Sequence, residues 1–114
     1  MIREVLTSVV DTLTAAGLKA TDDPARFEPR PIACLVGVPD LQAQLLGAYQ
    51  VSVPVYVVCG APLTTTLRDA LFMDALAACE ALAATGFELT SWDGMVNATP
   101  LPAYRMTTTV IYNT

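Results

Sequence analysis

The sequence contains no histidine, and charged residues make up only 15% of the chain. Without an imidazole, the Ser-His and Cys-His nucleophile pairs are gone, together with most zinc-ligand sets. The 6 glycines are isolated from one another, so no glycine-rich loop is present to cradle a phosphate. The cations Arg3, Lys19, Arg26, Arg30, Arg68 and Arg105 are scattered along the chain. A nucleic-acid grip needs grouped cations, and a net charge of −5 works against one. Cys34, Cys59 and Cys79 are an odd count without C-x-x-C spacing, each inside an apolar run. They read as buried free thiols in a reducing compartment, not as a disulfide framework or a metal set. Asp22-Asp23 beside Pro24 reads as a turn with solvated acids, and Cys59 beside Gly60 has no candidate base. Trp92 reads as a core or interface aromatic. No catalytic constellation emerges, no cofactor or metal is called for, and the expectation is a protein that is not an enzyme.

What the chain has in abundance is apolar surface. Its 114 residues fit one domain spanning 1–114, yet 54% are hydrophobic and mean hydropathy is +0.49. Globular chains average about 25% charged residues, and small domains have the most surface per residue to keep wet. The simplest resolution is that another chain covers part of the surface. From Leu41 to Leu67 there is no Asp, Glu, Lys or Arg. A membrane helix is not expected there, because Gln42, Gln44, Gln50, Ser52, Gly47 and Pro54 interrupt the run. Nor is a signal peptide, since Arg3, Glu4 and Asp11 break the N-terminal apolar pattern at helical spacing.

The periodicity predicts a helix over Ile2–Ala16, with Ile2, Val5, Leu6, Val9, Val10 and Leu13 as its stripe. Gly17 should end it, with Leu18 folding back on Leu13. Lys19–Pro31 reads as a proline-rich loop, and Pro31–Val38 as a buried strand. Leu41–Ala48 is either a strand continuation or an extended loop, and Gly47 marks a bend. Tyr49–Cys59 alternates as a strand, and Pro54 places it at a sheet edge or a bulge. Thr66 with Asp69 marks the start of a helix over Leu67–Ala84, ended by Gly86, with Phe87 against Leu82. Its row Leu67, Leu71, Ala75, Ala78 and Leu82 should face the sheet. The second row is Phe72, Leu76, Cys79 and Ala83; Phe72 is expected on the first helix and Leu76 in a mixed role. Phe87–Trp92 is a strand, Asp93-Gly94 a turn, Thr99–Pro102 a rigid linker, and Ala103–Tyr112 the last strand. The order α-β-(β)-β-α-β-β implies an α+β fold. Its form should be a single mixed, mostly antiparallel sheet of about four to five strands with two main helices packed on it.

Self-assembly explains the uncharged surface better than a ligand pocket, which needs converging polar groups. The candidate surfaces are the Leu41–Tyr49 segment, the second row of the later helix and the threonine-rich last strand. The strings Pro39-Asp40-Leu41, Leu46-Gly47-Ala48-Tyr49 and Val51–Val58 resemble the central region of tail terminator proteins of long-tailed bacteriophages. Leu101-Pro102-Ala103-Tyr104-Arg105-Met106 resembles the start of that family's final strand. The resemblance covers nearly the whole chain and implies a virion protein of the tail neck, made in the host cytoplasm. Such a protein forms a ring, usually a hexamer, that caps the tail tube protein and ends its polymerisation. The ring also docks the head completion or connector protein, and DNA passes through its lumen without specific binding. No cofactor and no membrane are involved. The interface candidates are Leu41, Gln42, Leu45, Leu46, Tyr49, Leu76, Tyr104 and Arg105. The alternatives are another neck protein (head-closure or stopper) or, from a different class, a small ligand-binding or enzymatic α+β domain.

Overall fold

Two helix ends close in the same way, one on glycine and one on alanine. In the computed structural model, which describes residues 2–45, 48–92 and 100–113, the first helix α1 spans Ile2–Ala15. Gly17 takes φ +87°, Leu18 donates its N–H to Leu13 O at 3.1 Å, and Gly17 donates to Thr14 O at 3.0 Å. This is the Schellman closure that the Gly17-Leu18 pair predicts. The second helix α2 spans Thr65–Ala81. Its N-cap is Thr64, whose hydroxyl accepts from Leu67 N, so it starts two residues before the expected position. In a run of three threonines the capping hydroxyl is chosen by tertiary position. Its C-terminus also departs from expectation. Ala83, not Gly86, takes the left-handed conformation (φ +52°), and Ala84 donates to Cys79 O while Ala83 donates to Glu80 O.

The fold is α+β, with the two helices on a mixed sheet of six strands. The strands are β1 (Ala20–Thr21), β2 (Ile32–Val36), β3 (Asp40–Leu45), β4 (Ala48–Cys59), β5 (Phe87–Trp92) and β6 (Leu101–Asn113). Their order is β1-β2-β4-β6-β5, with β3 also paired to β4. Among the described residues, β1 against β2 is parallel and the other pairings are antiparallel. The expected loop over Lys19–Pro31 thus contributes a two-residue strand and a short 3-10 turn, Pro24–Arg26, capped by the Asp23 carboxylate. Of the ambiguous Leu41–Ala48 segment, Leu41–Leu45 falls in β3 and Ala48 opens β4, and Leu101-Pro102 belongs to β6, not to a linker. The expected bend at Gly47 and the turn at Asp93-Gly94 lie outside the described residues, as does Thr99.

Strand β4 is the spine. Its first half pairs with β3 and its second half with β2, while β6 runs along the whole of its other side. The proline expectation is therefore corrected: Pro54 lies in a central strand. It is tolerated because it falls at the gap between β2 and β3, where no strand needs its missing N–H.

One face of the sheet carries the helices. Val51, Val53, Val55, Val57 and Cys59 of β4 are fully buried there with Val5, Val9 and Leu13 of α1 and Leu71, Ala75 and Ala78 of α2. Helix α1 lies over β1 and β2, and α2 over β4, β5 and β6. Thr108 on β6 donates to Leu82 O at 3.1 Å, which ties the end of α2 to the sheet. Among the described residues, the opposite face is closed at one end. Phe27, from the 3-10 turn, packs edge-on against Trp92 at 4.9 Å and over Ala33, Leu35, Val58 and Ala103.

Candidate assembly surface

The ladder pattern decides which backbone groups of the sheet are left open. Gly37 donates to Pro54 O at 2.8 Å, so the peptide groups of Pro54 point toward the β2–β3 side. In an antiparallel strand each residue sends its N–H and C=O to the same side, alternating along the chain. Val53 and Val51 therefore face β6 and exchange bonds with Thr108 and Val110, their register partners. On β6 it follows that Thr107, Thr109 and Ile111 point their N–H and C=O groups away from β4. Among the described residues, strand β5 pairs with Leu101–Met106. Beyond Met106, among the described residues, no strand lies beside β6 on that side. On β3, likewise, Asp40 and Gln42 face their β4 partners Ser52 and Gln50, which leaves the groups of Leu41 and Ala43 pointing outward.

These halves of β3, β4 and β6 form a three-stranded arm that lengthens the molecule to 49 Å in its longest dimension. Apart from Asp40, the arm (40–45, 48–52 and 107–113) carries no charged residue. Leu41 and Ile111 are each 52% exposed, and Val38, on the chain entering β3, is 86% exposed. Sheet edges are ordinarily guarded by lysine, proline, bulges or short strands. The open stretch of β6 has none of these, and its Thr-Thr-Thr-Val-Ile-Tyr sequence is strongly strand-forming. Strand β3 has a register irregularity only at its far end, between Ala43 and Leu45.

A second uncovered surface lies at the other end of α2. Phe72 contacts Phe87 edge-on at 5.4 Å and Tyr104 at 6.0 Å, and Phe87 and Tyr104 meet at 5.2 Å. Phe72 is 45% exposed, and Met73 and Leu89 are exposed beside this trio. Arg68 and Asp69 rim the shallow depression over Phe72, Met73 and Tyr104. The expectation that Phe72 packs on the first helix is therefore wrong. Helix α1 covers the β1–β2 side, and Phe72 points to the β5–β6 side.

The sequence candidates thus divide. Leu41, Gln42, Leu45 and Tyr49 come together in the β3–β4 hairpin, and Leu46 lies outside the described residues. Tyr104 belongs to the aromatic trio, and Leu76 is half-buried one turn along α2 from Phe72. Arg105 is on the opposite face, exposed, with its guanidinium 6.0 Å from the ring centre of Tyr56. Sequence reasoning missed Val38, Met73, Leu89 and Ile111 as exposed apolar residues. Only for Ile111 was a signal at hand, the alternation of the last strand.

No protein-family model matches the chain, and no curated protein matches it.

The polar chemistry of the described residues is sparse. No group of three or more His, Cys, Asp or Glu among them could hold a metal ion. Burial, and secondarily the charge of Asp74, pushes the Cys34 thiol up to about 12. Cys59 and Cys79 donate to the carbonyls of Ala61 and Ala84. The ion pairs, Arg3–Asp22, Arg26–Asp23 and Arg30–Glu28, gather around the loop before β2, away from both uncovered surfaces. No helix among the described residues is long and apolar enough to cross a membrane.

Proposed function

We propose that this chain is a structural subunit that assembles with copies of itself into a ring. The ring caps the tail tube of a long-tailed bacteriophage, ends tube polymerisation and provides the docking face for the head connector. The observation that carries the assembly half of this reading is the nearly uncharged arm, whose edges on both β3 and β6 are unpaired among the described residues. A free monomer with such edges risks uncontrolled association, whereas a closed ring uses them up. The tail-neck half is supported by the resemblance of Pro39-Asp40-Leu41, Leu46-Gly47-Ala48-Tyr49, Val51–Val58 and Leu101–Met106 to the tail terminator family. A net charge of −5 suits a lumen through which DNA slides without sticking.

Electron microscopy of the protein mixed with purified tail tubes tests the proposal. The expected image is a ring of density at one end of each tube, with elongation stopped when the protein is added to polymerising tube subunits. Bare tube ends and unchanged elongation would overturn the tail reading.

A further inference from the structure

We infer that neighbouring copies join by strand addition, with β3 of one copy pairing in parallel with the open half of β6 of the next. This rests on the reading that the chain assembles with itself, and it names the surface that does so. Three observations lead to it. The first is direction. Strand β3 is antiparallel to β4, and β4 is antiparallel to β6, so β3 and β6 run the same way within a copy. A ring whose axis lies near the strand direction preserves that direction from copy to copy, and β3 therefore meets the next β6 in parallel.

The second is the match of hydrogen-bonding groups. In a parallel pair, one residue bonds to the residues before and after its opposite number. With Leu41 opposite Thr108, its N–H reaches Thr107 C=O and its C=O receives Thr109 N–H. Ala43 opposite Val110 then takes Thr109 C=O and Ile111 N–H. Every outward group from Thr107 C=O to Ile111 N–H finds a partner, and Asp40–Leu45 spans the edge that β5 leaves open beyond Met106. Parity also sets the faces. Leu41 shares the helix-bearing face with its partner Val51, and Thr108 lies on that same face. Parallel addition therefore keeps the helices of all copies on one side of a continuous sheet. An antiparallel match of the same groups would put alternate copies upside down, and no simple ring closes that way.

The third is charge. Asp40, the arm's one charged residue, would lie opposite Thr107 and diagonal to Arg105 on the exposed face. Arg105 stands opposite Glu88 of β5 but makes no ion pair among the described residues, so Asp40 would be a second acid beside it. Val38 would enter beside the depression lined by Thr85–Glu88 and Arg105–Thr107. The contact would thus cover the large apolar side chain most exposed among the described residues.

A disulfide tests the register. Within one copy, Asp40 and Thr109 are separated by two strand spacings, about 10 Å, and Thr107 is farther still, beyond the reach of a disulfide. In Asp40→Cys/Thr107→Cys, oxidation should give a ladder of trimers and larger products on a non-reducing gel, and neither single variant should. Thr109→Pro removes an outward N–H and no bond of the β4 ladder. It should leave the circular-dichroism spectrum intact and shift the protein from oligomer to monomer by light scattering. An oligomer by light scattering without a ladder from the double variant would overturn strand addition and leave the ring reading standing. A cross-linked dimer from Thr107→Cys alone would overturn it in favour of a two-fold contact. A wild-type protein that stays monomeric, both free and with tubes, would overturn both readings.

Discussion

Gly37 donates its N–H to the carbonyl of Pro54 at 2.8 Å, and that single bond spans the gap between β2 and β3. A Cβ there would be tight, 3.0 Å from Pro54 Cγ and 3.3 Å from Pro54 O, so the proline ring would have to give by a few tenths of an ångström. Gly37→Ala should lower the unfolding free energy by about 1 kcal/mol. Pro54→Ala, which removes the ring atom in the way, should recover part of that loss. A double-mutant cycle by urea denaturation measures the coupling, and additive effects would show that the two residues act independently.

Gly60 is under a stricter constraint. A Cβ on it would fall 2.1 Å from Pro29 O, a backbone atom that cannot swing aside. Gly60 also donates to Pro31 O at 2.7 Å, so the strand end and the loop are held together at this point. Gly60→Ala should cost about 3 kcal/mol, visible as a drop in the denaturation midpoint with little change in slope.

Ala83 offers a change in the opposite direction. It holds φ +52° in a closure that glycine ordinarily supplies. Ala83→Gly should raise stability by about 0.5–1 kcal/mol, because the relief of left-handed strain exceeds the added freedom of the unfolded chain. Gly17→Ala in α1, at φ +87°, should be destabilising by a similar amount. The pair of melts tests one motif with opposite signs.

Two rows of α2 separate core from surface. Leu71 is 2% exposed and Phe72 is 45% exposed. Leu71→Ala should cost about 2–5 kcal/mol in any oligomeric state. Phe72→Ser loses only edge contacts to Phe87 and Tyr104 and should cost about 1 kcal/mol. Equal losses would mean that Phe72 is as much a core residue as its neighbour.

Asp74 and Cys34 give stability a dependence on pH. Partial burial raises the Asp74 carboxyl above its ordinary 3.8. The native state then holds this proton more tightly than the unfolded chain, so stability falls as pH rises through the shifted value. Asp74→Asn should melt higher than wild type at pH 7, and the difference should vanish below pH 3.8. The Cys34 thiol, pushed from 9.0 to about 12, adds a second decline at the alkaline end. Its contribution is complete below pH 9.0 and is lost progressively toward 12, a trend that Cys34→Ala should remove. Calorimetric scans across pH measure both.

Much of this fold is written locally. The α1 stripe, the Gly17-Leu18 closure, the alternation of β4 and the α2 row through Leu71, Ala75 and Ala78 follow from period and from glycine placement. So does the placement of Leu41 and Tyr49 in an uncharged segment. Where local signals were degenerate, they misled. Three consecutive threonines can each cap α2, and Ala83 takes the left-handed turn expected at Gly86. Phe72 sat at helical spacing that fits two different neighbours, and only the side of the sheet that α2 covers chose between them.

By itself, then, the sequence determined the inward stripe of α1 and the inward row of β4, that catalytic groups are scarce, and that too little charge is present to wet the whole surface. Those properties are sums and short-range periods, and a chain carries them whatever its topology. The tertiary structure alone decided that β4 is central despite Pro54, that β3 and β6 extend past the helices, and that, among the described residues, their edges lie open on opposite sides of one arm. Pairing between strands distant in the chain depends on which backbone groups meet across space, and alternation within a single strand holds no record of its partner.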